Sequence, residues 1–472
     1  MRRLIARATA AVVASAVVGT PGVAGVRAAG AATQAPQPAR SSLATAHPQA
    51  VPGAKLWVRR FSGRADVASA VAVSPDGRTV FVTGAGISVT SDYVTAAYNA
   101  ATGARLWTAR YNGPGNYDDS ARAVAVSPDG ATVFVTGDSN GGQGFLQDYA
   151  TVAYRASDGT QLWVARYNGP ANYYDDATAV SAARDGTAVF ATGISWVNDN
   201  AGSMATVAYR TSDGAQLWVK SWGARGAYYY GSAIVSPGGN RVFVTGHVQT
   251  AAYTGEYGTV AYNAATGARL WARRYAGMGG ISIAVSPDLT RVYVTGNTRD
   301  GNFTTLAYSA RTGARLWLRK YLRHRDDDRA YSVAVSPGGT VLVTGSSRGF
   351  ASSDCDYATV AYSPRGARLW ARRYNGPGNR SDIASAVAAP GNGRVYVTGY
   401  SWGGSATGYD YATVAYNVRT GALVWVRRYN GPAGGTDQAT SLAVRGGRVF
   451  VTGTSQGQSI AEDTYATIAY NG

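Results

Sequence analysis

Cysteine is nearly missing: Cys355 is the only one in 472 residues. A single thiol excludes an intramolecular disulfide, a vicinal cysteine pair, a cysteine-based zinc site and a C-x-x-C-H haem attachment. Histidine is almost as scarce. His47, His247 and His324 are the only three, and none has a Ser or Cys nearby in a nucleophile context, so a hydrolytic triad has no support. No segment after the N-terminus approaches 18 uninterrupted apolar residues, so a membrane-spanning helix is not expected once the leader is removed. Acidic residues are outnumbered, 27 against 44 basic ones, for a formal charge of +17. The arginines are dispersed and recur at repeat positions, which points away from nucleic acid.

What is abundant is glycine and tyrosine, 60 and 32 residues, in a chain that is 45% hydrophobic. That is the make-up of a turn-rich folded protein with a large core. The first residues carry Arg2, Arg3 and Arg7, then a run of small apolar residues with candidate cleavage sites among Ala24 to Ala32. They read as a secretory signal over 1–31, followed by a flexible Ala/Pro/Gln/Ser linker over 32–53 and the folded domain over 54–472. The expected location is secreted or extracellular, with attachment to the cell envelope as the alternative.

The chain repeats itself. Its marker tryptophans are Trp57, Trp107, Trp163, Trp218, Trp271, Trp317, Trp370 and Trp425, spaced 46 to 56 residues apart. A "VTG" run and a "TVAY" run recur in step with them, giving eight units. Each unit holds four short apolar runs bounded by turn signals, as in "ARAVAVS", "TVFVTG", "YATVAY" and "QLWVARY". This is a strand pattern, and "SPDG" and "AATG" between runs supply the proline and glycine of tight hairpins. The expected fold is all-β, an eight-bladed β-propeller of four-stranded antiparallel blades. The repeats open on a lone fourth strand at Lys55 and close on a third strand ending at Tyr470, so the N-terminal strand is expected to complete the C-terminal blade and close the ring. Arg60, Arg110, Arg166, Arg274, Lys320, Arg373 and Arg428 lie on the outer strands and are expected to act as charged edges that discourage strand addition.

With "VTG", "YNAATGARLW" and "RYNGPGN" in this order, the chain resembles the secreted bacterial β-propeller repeat family (SBBP-type). That resemblance implies an exported propeller without fixing an activity. The spacing of Ala, Gly and Trp at Ala97/Gly103/Trp107, and at the equivalent positions of five more units, is similar to the docking motif of quinoprotein (PQQ-like) propellers. The motif's Asp is replaced throughout, as by Asn99 and Arg155, and the unit at Trp370 is one residue shorter. The resemblance implies that the motif belts blades together and is not the quinone site. "SPDG..VFVTG" is similar to the hairpin of YVTN-type propellers, which include lactonases.

Aligned by the end of each first-strand run, one position reads Asp66, Asp119, Asp175, Tyr228, Met278, Asp328, Asp382 and Asp437. Six carboxylates would lie where the chain enters the innermost strands, near the mouth of the central channel. Either each caps its own turn, or together they hold a basic ligand or a divalent cation such as Ca2+. Trp196 and Trp402 stand outside the repeated set, in loops expected on the same face. They either stack on sugars or peptides or pack against their own loops. His324, in "LRHRDDDR", reads as part of an ion-pair loop. The leading expectation is a monomeric, non-catalytic binding scaffold for an extracellular or cell-surface protein or glycan, with no catalytic residue and no cofactor. The alternatives are a cation-assisted lyase or lactonase-like enzyme at the channel mouth, or a degenerate quinoprotein.

Overall fold

The computed structural model describes residues 51–472 apart from 63, 88, 143–145, 199–200, 224–227, 239, 250–254, 299, 322–327, 349–353 and 458–463. Among the described residues there are strands and turns and no helix. Blade 1 is built from β2 (Arg64–Val73), β3 (Thr79–Ile87), β4 (Ser91–Asn99) and β5 (Arg105–Tyr111), hydrogen-bonded in that order. The same meander recurs in blades 2 to 7, which begin at Ser120, Asp175, Tyr228, Gly280, Arg329 and Asp382. Blades 3 and 4 are also joined by one parallel bridge, Gly202 to Tyr228.

Blade 8 takes its outer strand from the other end of the chain. β1 (Lys55–Ser62) pairs antiparallel with Thr464–Asn471, in the order expected for a closed ring. The closure reaches beyond the strand: Gly53 donates its N–H to Asn471 O at 2.7 Å and sits under the indole of Trp425. Gly53, just ahead of the first strand, is thereby fastened to the ring.

The repeated motif explains the packing between blades. In the outer turn of each blade a glycine adopts positive φ, such as Gly103 at 70° and Gly159 at 77°, a conformation that disfavours any side chain. The tryptophan of the preceding blade lies over that glycine, and at every seam except that of Trp425 its indole N–H donates to a carbonyl of the same turn, as from Trp57 to Ala100 O at 3.1 Å, Trp107 to Ala156 O at 2.9 Å and Trp271 to Ala310 O at 3.0 Å. Aromatic rings from both blades flank the indole, as Phe81 and Tyr154 flank Trp107. Inside, buried tyrosines cross the same seams. Tyr93 donates its hydroxyl to Ala150 O at 3.2 Å and Tyr149 donates to Ala205 O at 3.3 Å, and burial pushes both phenols well above their ordinary pKa.

The outer-strand arginines do more than charge an edge. Arg166, Arg373 and Arg428 are turned inward, each donating to a carboxylate and a serine of its own blade: Asp148 and Ser139, Asp356 and Ser347, Asp410 and Ser401. Arg60 donates instead to the Tyr429 hydroxyl of blade 7 at 2.8 Å. A second set reaches sideways. Arg59, Arg273, Arg319, Arg372 and Arg427 donate to the carbonyls of Gly103, Gly313, Gly366, Gly421 and Gly53, the glycines covered by the indoles. Much of the positive charge is thus fastened between blades, because the guanidinium fork satisfies turn carbonyls that have no strand partner.

Candidate functional site

Antiparallel strands place the first-to-second and third-to-fourth turns on one face of the ring, and the second-to-third loops and inter-blade crossings on the other. The aligned Asp positions lie on the second face, at the entry to the innermost strands. Asp119, Asp175, Asp328, Asp382 and Asp437 are fully buried. Asp119 accepts from Gly113 N at 2.5 Å and Asn140 N at 2.9 Å. Asp175, Asp382 and Asp437 accept from Gly169 N at 2.5 Å, Gly376 N at 2.8 Å and Gly431 N at 2.6 Å, and Asp328 accepts from Arg348 N at 3.2 Å. Asp328 thus holds the end of the second strand, whereas Asp119, Asp175, Asp382 and Asp437 each hold the crossing loop that leads into their blade. That loop is further closed by an asparagine pair, as where Asn112 donates to Asn116 Oδ1 at 2.9 Å.

Burial raises the pKa of Asp119, Asp175, Asp382 and Asp437 against the opposing pull of their hydrogen bonds. Asp175 and Asp382 are pushed up to about 6, and Asp119 and Asp437 are raised. The side chains of Asp66 and Tyr228 lie outside the described residues. In blade 4 the strand register moves the equivalent position by one residue. Gly231 faces Gly246 as Ala121 faces Gly137, so the counterpart of Asp119 is the buried Tyr229, not Tyr228. Tyr229 stacks edge-on with Trp222 at 5.6 Å, and Arg274 lies 5.1 Å over its ring. Met278 is 54% exposed, and its backbone N–H donates to Asn297 O. Among the described residues the Asp carboxylates do not converge, and no three His, Cys, Asp or Glu side chains come together as a metal-holding group.

Trp196 is half-buried, with its backbone N–H donating to Tyr174 O at 2.9 Å. Trp402 sits in an aromatic cluster on the loop side of blade 7. Tyr409 meets its ring at 5.2 Å and 75°, Arg380 lies 5.3 Å over it, and Tyr400 meets Tyr409 at 5.3 Å. The Trp402 ring is therefore engaged with the loops around it, and Trp196 is held to its neighbouring loop by its backbone. His324 lies outside the described residues.

The structure draws attention to two neighbouring positions that the repeat comparison passes over. The residue directly after each aligned position is Val67, Ser120, Asp176, Tyr230, Gly279, Arg329, Ile383 and Gln438. The residue after the invariant "VTG" glycine is Ala85, Asp138, Ile194, His247, Asn297, Ser346, Tyr400 and Thr454. Every member differs within each set. The register pairs them across the two innermost strands, as Ser120 with Asp138, Asp176 with Ile194, Arg329 with Ser346, and Gln438 with Thr454. Cross-strand partners share a sheet face, so the two sets form one varied collar at the channel mouth. Val67, Arg329 and Gln438 are exposed on it, and Arg122 binds Asp138 at 2.8 Å on the far side. Burial and the neighbouring Asp138 charge raise the Asp176 carboxyl. His247 Nδ1 lies 2.8 Å from Met278 O, and burial lowers its pKa. The signal was present in the sequence as the columns that vary next to the columns that do not. What was missing was the register that brings those columns together.

The model of one protein family, described as outer membrane protein assembly factor BamB, matches residues 45–317 and 203–403. No curated protein sequence matches the chain. Among solved structures, Sqt1 from Chaetomium thermophilum superposes with a TM-score of 0.58 at 13% identity, over 90% of this chain and 100% of that one. Chaetomium thermophilum Sqt1 bound to the N-terminus of the ribosomal protein L10 gives 0.56 at 14% identity, over 88% and 98%. The Dos1 propeller gives 0.57 at 11% identity, over 89% and 96%. At these identities the likeness is one of fold.

Proposed function

From the premise that the chain belongs to the outer membrane protein assembly factor BamB family, and is a PQQ-like propeller repeat protein, we propose that it is an exported binding scaffold that takes a protein partner at the channel mouth. The observation that carries this reading is the contrast between neighbouring columns. The buried Asp caps, the "VTG" glycines and the Trp clasps recur and are used up in holding the ring. The collar beside the caps holds eight different residues at each of two positions, mixing Arg329, Asp176, Tyr400, His247 and Gln438. A surface selected only to close a ring would repeat with the ring. A surface fitted to an asymmetric partner would not.

Sqt1, which shares the fold, is bound to the N-terminus of the ribosomal protein L10, which supports a peptide segment as the partner class. The finer parts of the reading are export through the leader over 1–31, action outside the cell membrane as a monomer, and no requirement for a cofactor. The test is selection of displayed peptides on the purified protein, alongside a glycan array. Peptides that bind the wild type and are lost from Asp176→Ala and Arg329→Ala proteins are the expected outcome. Ligands that bind these variants unchanged, or glycans alone, would overturn it.

A further inference from the structure

Charge is unevenly spread around the turn face of the ring. On the turn face, the carboxylates sit in blades 1 to 3 and at Asp288 of blade 5, and most have a nearby arginine: Asp158 with Arg155 at 3.0 Å, Asp213 with Arg210 at 2.8 Å, Asp288 with Arg291 at 3.6 Å. The turns of blades 6 to 8 contain no Asp or Glu at all. From blade 5 onward the turn-face rim carries Arg311, Arg315, Arg365, Arg368, Arg394 and Arg419, and none of these is ion-paired with a described carboxylate; Arg105 and Arg269 hold the place of Arg315 and Arg368 in blades 1 and 4.

Beside these arginines the outer strands begin with apolar residues left in solvent. Leu316 is 48% exposed, Leu369 49%, Leu423 60% and Val424 41%. Isolated exposed leucines need no explanation. Here the same position is exposed around the whole ring, as at Leu106 (49%) and Leu270 (43%), and what sets blades 6 to 8 apart is that their leucines stand beside turns with arginine and no acidic residue. A recess of 630 Å³ on the same rim is lined by Tyr321, Arg368, Leu369 and Arg372.

We propose that the turn face of blades 5 to 8 is a docking surface for an anionic lipid bilayer. The arginines meet headgroup phosphates, which their planar forks match. The leucines and Val424 enter the boundary between headgroups and acyl chains. Charge complementarity alone would suit any polyanion, but a polysaccharide or nucleic acid offers exposed leucines no apolar environment. A bilayer does. Docked in this way, the propeller turns its channel mouth away from the membrane and leaves the collar open to a partner. This surface is separate from the collar, so either assignment can fail without the other.

The test is co-sedimentation of the full chain with vesicles of phosphatidylcholine alone or mixed with phosphatidylglycerol. Two variants are compared with the wild type: Arg365→Glu with Arg419→Glu, and Leu316→Ser with Leu369→Ser and Leu423→Ser. All five side chains are exposed, and unchanged melting curves confirm folding. The wild type is expected to pellet with the mixed vesicles and not with phosphatidylcholine. The arginine variant should bind on the order of tenfold more weakly. The leucine variant should lose the binding that survives high salt. Equal binding to both vesicle types, or variants that bind like the wild type, would overturn the proposal. So would tighter binding to a sulfated polysaccharide or duplex DNA that the leucine variant retains.

Discussion

The indole of Trp107, on the outer strand of blade 1, lies over Gly159 in the outer turn of blade 2, where an added methyl group would stand 2.6 Å from the ring. The indole N–H donates to Ala156 O in the same turn at 2.9 Å. The glycine and tryptophan of the repeated motif are thus two halves of one clasp between successive blades.

Removing either half should loosen the same seam. Trp107→Ala is expected to cost about 3–5 kcal/mol in chemical denaturation, and Gly159→Ala about 1–3 kcal/mol from steric overlap and positive φ. The double variant should cost less than the sum, because the alanine has nothing to strike once the indole is gone. Full additivity would separate the two residues and contradict the clasp.

The buried caps give the protein a distinctive pH response. Asp175 and Asp382 are raised to about 6. A carboxyl with a raised folded pKa binds more protons in the folded state, so its contribution to stability is full below the unfolded value near 4 and is lost as pH rises through about 6. The melting temperature of the wild type, relative to an Asp175→Asn/Asp382→Asn protein, is expected to fall between pH 4 and pH 7. A flat difference would show that burial does not shift these groups. In a separate test, Asp119→Asn should cost about 1–3 kcal/mol, since the amide oxygen can accept from only one of the two backbone N–H donors and the NH2 would face the other and leave it unpaired.

The propeller, its blade count and its closure were legible in the sequence because each rests on periodicity, and periodicity needs no knowledge of contacts. Sequence alone does not decide the role of Asp119, because a repeated carboxylate looks the same in sequence whether it faces a channel or a backbone N–H. Tyr228 was misaligned by one residue because blade 4 lacks the "NGPGN" loop that marks the count elsewhere, and only pairing of Gly231 with Gly246 sets the register. The inward turn of Arg166 onto Asp148 was not legible either, since those residues are 18 apart and meet only across a hairpin.

Ring closure depends on β1. Deleting Lys55 to Phe61 would expose the strand at Thr464–Asn471 along its whole length and leave Tyr465 without its stacking partner Phe61, 5.7 Å away. A large drop in melting temperature and a tendency to aggregate are expected. An unchanged melt would mean that the ring holds without its seam.

Chelation addresses the alternative role of the caps. Because the carboxylates of Asp119, Asp175, Asp382 and Asp437 each hold a backbone N–H of their own loop and do not converge on one another among the described residues, EDTA should leave the melting temperature unchanged and added calcium should not raise it. A drop with EDTA that calcium reverses would assign a bound ion.

The most direct measurement is the dissociation constant of a peptide selected on the wild type, taken for Arg329→Ala, Gln438→Ala and Val67→Ser proteins. These three collar positions are exposed, so the fold should be untouched. If the varied collar is the binding surface, at least one substitution should weaken binding by about tenfold or more, the loss typical of a residue that anchors an interface. Three proteins that bind with wild-type affinity would contradict the assignment of function to the channel mouth.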